Sequence, residues 1–503
     1  MGSASTSASA SPTILTPYGY SSGTCGYCSP SGQRSRGKTS SKYGMVTEQM
    51  TPEFYQLLVD RGWRRSGDYL YHPDMARTCC PQYTIRLNTT TFKATKKHRQ
   101  VVNRFNRYLE TGQKPGESST AVDDSTRNAA GKDKGKGKGK GKNNSGKQDI
   151  LDELHSREVG YIPHDEEVHL AHSFKTQLVP AQATKETFEL YKAYQIAIHK
   201  DKPETVTMRG FDRFLCGSTL IQTPINHGTN VDEDLQHGRL PRTYGQYHLL
   251  YKVDDVLIGI SVIDILPSCV SSVYFIWHPD WAWASLGKLS ALYEISLSRR
   301  MREKGVKDMK WVYMGYWIPD CQKMKYKSEY APSELLDPGT NTFYPLDTIL
   351  ETFLVSHPTG YHPFSNVTST PFPDTSLTQD IPIGPTNAKR GDAPEKAGPN
   401  SETGSESDTE SEEEAPSSWP DPTPPGFEDP SRITDEAVEL VFLLFGRNRF
   451  TGKGGKLIPI SNLEFRDAEV MYREIKEFLA AVGQDNIAAL EGGVAEKAVL
   501  YLG

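Results

Sequence analysis

Long apolar runs are missing from this chain of 503 residues. Nothing in it approaches the ~18 consecutive apolar residues that a membrane-crossing helix needs, which excludes such a span. The first twenty residues hold neither a basic stretch nor an apolar core, so no secretion signal is expected there. Met1-Gly2-Ser3-Ala4-Ser5-Thr6 fits a myristoylation pattern, but no Lys or Arg precedes Arg34 to add a second anchor, and the match is read as chance. Cysteine is scarce as well. Seven in the whole chain exclude a disulfide scaffold and suit thiols kept reduced, which points to a cytoplasmic location, with the nucleus as the other reducing compartment. Hydrophobic residues make up only 36 %, against 42 Gly and 33 Pro, so long unpacked segments must separate the globular ones.

The net charge of −6 conceals opposed blocks. Residues 17–110 carry 15 Lys and Arg against 6 Asp and Glu, an excess suited to a polyanion. Residues 132–142 alternate Gly and Lys around one Asp, and residues 402–414 hold seven acids and no base. On this basis the chain divides into a disordered start (1–16), a basic Cys-rich N-terminal domain (17–110) and a Gly/Lys-rich linker (111–149). A compact unit (150–350), a disordered Pro/Ser/acidic segment (355–430) and a small α-rich C-terminal module (433–503) follow.

The fold class expected is α+β. Within the compact unit, apolar spacing predicts helices over Lys185–His199 and Leu286–Lys304. Strands are predicted at Tyr247–Val253, Val256–Asp264, Ser272–Trp277 and Lys310–Trp317, the first two joined by an Asp254-Asp255 turn. This describes a mostly antiparallel sheet layered with helices. In the N-terminal domain, Thr95–Leu109 reads as a helix whose stripe is Val101, Val102, Phe105, Tyr108 and Leu109, with Lys97, Arg104 and Arg107 pointing elsewhere. Near the C-terminal end, Thr434 is predicted to cap a helix ending at Gly446, and Met471, Ile475, Phe478 and Val482 line one face of another.

The cysteines carry the clearest chemistry. Cys25-Gly-Tyr-Cys28 is a C-x-x-C pair and Cys79-Cys80 a vicinal pair, which together suggest a tetrahedral four-Cys site for zinc or an iron–sulfur cluster. Soft thiolates disfavour Mg or Ca there. Buried free thiols or a vicinal disulfide are the other readings, and Cys216, Cys269 and Cys321 are taken as core. Arg61, Arg64 and Arg65 beside Trp63 suit phosphate or an acidic side chain, or else an ordinary surface around a buried Trp.

Three stretches of the N-terminal domain carry a resemblance. They are Cys25-Gly-Tyr-Cys28, Tyr55-Gln-x-Leu-x-Asp60-Arg-Gly-Trp-Arg-Arg-Ser-Gly67 and Thr78-Cys-Cys-Pro-Gln-Tyr-Thr-Ile-Arg86. Three more lie in the compact unit: Asp264-Ile-Leu-Pro-Ser-Cys-Val-Ser-Ser-Val-Tyr274, Ser285-Leu-Gly-Lys-Leu-Ser-Ala-Leu-Tyr-Glu-Ile295, and Met314-Gly-Tyr-Trp-Ile-Pro-Asp-Cys-Gln-Lys-Met-Lys-Tyr-Lys327. Together they resemble the eukaryotic arginyl-tRNA–protein transferases of the N-degron pathway. The chain departs from the family pattern at Tyr247-His248-Leu249, Tyr293, His278 and Pro319.

The resemblance implies a GNAT-like acyltransferase domain. It implies transfer of arginine from Arg-tRNA to the N-terminal α-amino group of proteins beginning with Asp, Glu or oxidised Cys, which marks them for ubiquitin-dependent degradation. Arginine's guanidinium then needs a carboxylate, for which Asp264, Asp280 and Glu294 are candidates. The acidic acceptor needs cations, for which Arg64, Arg65, Lys323, Lys325 and Lys327 are candidates; the three lysines share a face if extended. Lys97, Arg104 and Arg107 are the candidate tRNA contacts. His248 is the candidate general base, with Asp264 beside it and Tyr316 or Tyr326 donating to the oxyanion. Acetyl-CoA transfer is the natural rival on such a fold. The stretch Asp280-Trp-Ala-Trp-Ala-Ser-Leu-Gly-Lys288 has a single glycine where a pyrophosphate turn needs more, so neither CoA nor a nucleotide is expected. A non-catalytic, metal-dependent RNA-binding module is the remaining alternative.

Overall fold

The computed structural model describes residues 12–28, 33–116, 149–163, 168–367, 419–445, 456–460, 468–485 and 498–500. Most of the linker, the 368–418 stretch and Gly446 lie outside them. In chain order the strands are β1 (Thr13–Gly23), β2 (Ser40–Gln49), β3 (Arg64–Ser66), β4 (Tyr69–Pro73) and β5 (Tyr83–Asn88). Then come β6 (Phe174–Pro180), β7 (Gly245–Val253), β8 (Val256–Ile265), β9 (Cys269–Trp277), β10 (Trp311–Trp317), β11 (Ser333–Asp337) and β12 (Thr342–Pro345). β13 (Phe442–Phe445), β14 (Lys456–Pro459) and β15 (Ala498–Leu500) complete the set. They form a seven-stranded sheet, β14-β13-β15-β1-β2-β4-β3, and an eight-stranded sheet, β12-β11-β5-β10-β9-β8-β7-β6.

The eight-stranded sheet is antiparallel throughout except where β9 and β10 run parallel. Asp254 and Asp255 take φ of 49° and 63°, the left-handed pair that a tight two-residue hairpin requires, so this predicted turn is found. The four helices that matter for the site are α1 (Pro52–Asp60), α2 (Lys96–Thr111), α3 (Lys185–Tyr194) and α4 (Leu286–Glu303). Thr51 caps α1 ahead of Pro52, and Thr95 with His98 forms a capping box on α2, which stops at left-handed Gly112. Lys185–His199 is not one regular helix: after Tyr194 the coil widens into a π-turn over Gln195–His199.

Three boundaries differ from the sequence reading. β5 and α2 belong to the second sheet, so the unit expected to end at 110 gives up its last third. Antiparallel pairing of β5 with β10, and burial of Val101, Val102, Phe105 and Leu109 in the larger core, decide this. The C-terminal segment is not a separate α-rich module. Thr434 does cap a helix, but only over Asp435–Glu439, and the apolar run after it is β13. β15 then lies parallel between β1 and β13, inside the first sheet. The other expected helix is found over Ala468–Val482, with Ile475, Phe478 and Val482 buried.

The flanking segments read as disordered also contain structure. β1 begins at Thr13, and Trp419 and Phe427 pack on Tyr43, while Arg77 donates to Pro422 O at 2.7 Å. The two sheets share one apolar body, in which Tyr55 and Trp63 meet Leu266, Cys269, Trp311, Tyr313 and Leu336. No helix among the described residues is long and apolar enough to cross a membrane.

Candidate functional site: a thiol centre beside a divided sheet

β1 runs into Cys25, and the turn after β4 delivers Cys79-Cys80 to the same place. Asp74, buried at the end of β4, fixes that turn by accepting from the Ala76 amide at 2.9 Å and from Arg77 Nη1 at 2.9 Å. The Cys79 amide donates to Thr39 O, and the Cys25 amide donates to Ser35 Oγ. The sulfurs of Cys25, Cys28, Cys79 and Cys80 consequently lie within 4.8 Å of one another, with Cys28 and Cys79 at 3.8 Å. All four cysteines are free thiols, the sulfurs of Cys79 and Cys80 standing 3.9 Å apart. Four converging thiols are a metal-binding set. Burial raises the Cys25 thiol, but the Tyr27 and Cys28 amides together with the Cys79 and Cys80 thiols lower it overall. Cys321, expected to be core, is buried, and it lies against Cys25 and Cys80 together with Ile318. It comes from the segment that follows β10.

That segment borders the opening in the second sheet. β9 and β10 pair only at Cys269/Trp311, Val270/Val312 and Ser271/Tyr313, and then separate. Gly315 takes φ +65°, available to glycine without strain, and the register of β10 against β5 shifts there. Beyond the last pair, Ser272–Phe275 of β9 become partly exposed although the strand is central. α4 crosses beneath and presents Glu294 to this gap. Glu294 is buried, its Oε1 accepts from Ser272 Oγ at 3.3 Å, and it meets no cation among the described residues. Burial pushes its carboxyl up to about 7, with the Ser272 and Ser261 hydroxyls opposing the shift.

On the β10 side stand two buried cations. Lys327 Nζ donates to Tyr316 O at 2.7 Å, and burial, reinforced by the Arg64 guanidinium, lowers its pKa to about 7. Arg64 lies under Tyr313 and Tyr316 and donates to the main-chain oxygens of Val59 at 3.2 Å and Gly315 at 3.4 Å, while its Nε has no partner. Neither cation has a carboxylate at ion-pair distance among the described residues. Leaving buried donors and charges unmatched is costly, so such a cluster suits a ligand that completes it.

Several candidates stand elsewhere or do something else. Asp264 is fully buried and bound through both oxygens to Arg65, its Oδ2 accepting from Nε at 2.8 Å. Both groups are consumed in joining β8 to β3, so neither binds substrate. His248 stands on β7, two strands from the gap; its buried Nε2 donates to Leu215 O at 3.0 Å, and burial lowers its pKa. It is a structural histidine. Tyr316 spends its hydroxyl on Gly62 O at 2.9 Å, so it is not a free oxyanion donor. Lys323, Lys325 and Lys327 do not share a face: a 3₁₀ turn over Lys325–Glu329 buries Lys327 and leaves Lys323 and Lys325 exposed. Asp280 is a surface residue beside His278.

The candidate nucleic-acid residues on α2 diverge. Lys97 and Lys288 both hold Glu329, at 2.8 Å each, and Arg104 Nη2 donates to Ser285 Oγ at the start of α4 at 2.8 Å. Arg107 is exposed and lines a depression with Arg99, Arg157 and Tyr161, although Glu110, Asp152 and Glu153 line it too.

A mixed sheet that parts between two central parallel strands, with an unpaired carboxylate on one side and unpaired cations on the other, offers an opening suited to ligands of both charges. Family models agree: "Arginine-tRNA-protein transferase, N terminus" matches residues 23–100, and the C-terminus model matches 186–337. The chain is 30 % identical to arginyl-tRNA–protein transferase 1 of Drosophila melanogaster, covering 68 % of this chain and 84 % of that one. It is 28 % identical to arginyl-tRNA–protein transferase 2 of Arabidopsis thaliana, over 66 % and 75 % of the two chains. A stretch of 105 residues is 34 % identical to a Campylobacter jejuni aspartate/glutamate leucyltransferase, 21 % of this chain and 41 % of that one. The chain belongs to the arginyl-tRNA–protein transferase family, and it is an aminoacyltransferase that moves arginine from tRNA to protein.

Proposed function

We propose that the acceptor is the N-terminal α-amine of a protein beginning with Asp, Glu or oxidised Cys, and that the opening between β9 and β10 receives both reactants. The observation that carries this reading is the pair of unmatched buried charges on the two sides of the opening. Arg64 and Lys327 complete the acidic first side chain. Glu294 completes the arginyl guanidinium, and α2 with the surface around Arg107 meets the tRNA backbone. The Campylobacter relative, named for aspartate and glutamate acceptors, supports the acidic choice. Arginine arrives as an activated ester, so the amine attacks the carbonyl directly and no enzyme nucleophile is needed. The chain's task is to align the two and to desolvate the charges around them. Product proteins would carry an N-terminal arginine read in the cytoplasm by ubiquitin-dependent degradation.

The four cysteines fit a metal. Tetrahedral zinc with Zn–S of about 2.3 Å places its sulfurs about 3.8 Å apart, close to the 3.8 Å between Cys28 and Cys79 and the 3.9 Å between Cys79 and Cys80. An iron–sulfur cluster uses the same four thiolates, so the group that holds β1 to the β4–β5 turn is a zinc ion or an iron–sulfur cluster. The test of the function is transfer of labelled arginine from Arg-tRNA, against labelled acetyl from acetyl-CoA, onto peptides starting with Asp, Glu, cysteate or Ala. Arginine on the first three only is expected; acetyl transfer, or equal labelling of the Ala peptide, overturns the reading.

A further inference from the structure

His248 is bonded to Leu215 O two strands away from the opening, so the proton of the acceptor ammonium needs another recipient. A free α-ammonium has a pKa near 8, so an attacking amine must shed its proton within the complex. The exposed stretch of β9 carries one side chain joined to a histidine. Tyr274 Oη lies 3.1 Å from Nε2 of His199, the last residue of the π-turn that widens the end of α3. Both side chains are only partly buried, unlike His248. The π-turn has a packing cause: Tyr194 is wedged between Trp277, at 4.7 Å between ring centroids, and His199, at 5.5 Å, which sets the imidazole against β9. Tyr274 lies in the stretch of β9 that β10 has left, packed on the α3 side of the sheet, so the hydroxyl and imidazole border the opening from the face opposite α4.

We propose that Tyr274 and His199 form the proton relay of the transfer step, with the Tyr274 hydroxyl facing the acceptor amine and His199 Nε2 as the base behind it. This rests on the transferase reading above. As the ammonium gives a proton to Tyr274 Oη, the hydroxyl passes its own to Nε2. The freed amine lone pair forms the C–N bond to the arginyl carbonyl. The ester C–O bond breaks with its electron pair on the ribose oxygen. The imidazolium returns its proton through Tyr274 to that oxygen, and the new amide nitrogen releases its second proton to solvent. The net result is amide, deacylated tRNA and one released proton, with the relay restored.

The surroundings keep His199 neutral and able to accept. Burial lowers its pKa, Asp201 opposes that, and Lys323 from the segment after β10 adds to it. Asp201 is held by Gln195 Nε2 at 2.9 Å, and Lys200 Nζ donates to Ala197 O at 2.8 Å. From β9 the facing group is Tyr274, whose hydroxyl burial raises far above the working range, with Tyr191 and Tyr194 around it. Tyr274 therefore acts only by exchanging protons.

The experiment is the pH profile of kcat at saturating Arg-tRNA and Asp-peptide, where Glu294 and Lys327 already have their partners. Wild type, His199→Gln and Tyr274→Phe are compared, with Arg-tRNA affinity and thermal midpoint measured alongside. Wild type should be flat above about pH 6.5. His199→Gln should lose about 100-fold in kcat at pH 7 and climb about tenfold per pH unit toward pH 8, where the amine deprotonates unaided. Tyr274→Phe, which keeps the ring packing, should show the same displaced limb. Should His199→Gln fail to fold, Tyr274→Phe alone decides. Unchanged profiles with kcat within about threefold of wild type overturn the relay; wild type that transfers no arginine overturns the functional reading instead.

Discussion

Arg64 and Arg65 are neighbours on one short strand and both are buried, yet they have opposite surroundings. Arg65 faces the seam between the sheets and is answered by both oxygens of Asp264; nearby, Arg86 is answered by Glu334 at 2.7 Å. Arg64 faces the opening, is answered only by main-chain oxygens, and has a second cation beside it. The Arg65 and Arg86 charges are complete in the protein itself, whereas those of Arg64 and Lys327 are left for a ligand. Among the described residues, a buried cation without a carboxylate is what sets the opening apart from the seam.

Breaking the seam should have the largest effect. Asp264→Ala strands the Arg65 guanidinium in the interior and should cost about 3–5 kcal/mol of stability, read by denaturant unfolding. Replacing Cys79 or Cys80 by Ser, or chelating the metal, should come next. Metal content falls and the thermal midpoint drops as β1 loses its tie to the β4–β5 turn, and a variant with full metal content refutes the ligand assignment. At the opening the sign differs. Lys327→Met removes a cation repelled by Arg64, so the fold should be as stable or more so, while KM for the Asp-peptide rises about tenfold.

The pH dependence sharpens the same contrast. An anionic acceptor favours charged Lys327, so its affinity should weaken as pH rises through about 7, where Lys327 loses its proton. The guanidinium favours ionised Glu294, so Arg-tRNA affinity should weaken as pH falls through about 7, and Glu294→Gln should abolish that dependence. The smallest effect is expected on α2: Arg107→Ala should weaken tRNA binding a few-fold and reduce the salt slope by about one.

The parts legible in the sequence were those fixed by local rules. Asp254-Asp255 specified its hairpin, the stripe from Val101 to Leu109 specified α2, and paired thiols had few other uses than a shared ion. Partnerships across the chain were not legible. Nothing near Asp264 shows that Arg65, 199 residues earlier, will take it, and once it is taken the acid–base arrangement built around His248 fails. The three alternating lysines assumed an extended backbone where a 3₁₀ turn forms. The run Phe442–Phe445 is too short and uniformly apolar for its period to separate strand from helix. Glu294 was named for its chemistry alone. What distinguishes it from Asp264 and Asp280 is burial without a cation, which only the fold reveals.

The place of β15 has a consequence for synthesis. β1 leads straight to Cys25 and leaves the ribosome long before β15, the strand that covers its outer edge. Until then that edge stays open, a template for pairing with a neighbouring nascent chain. Removal of β15 should therefore be felt at β1, as aggregation during translation and as poor assembly of the thiol centre.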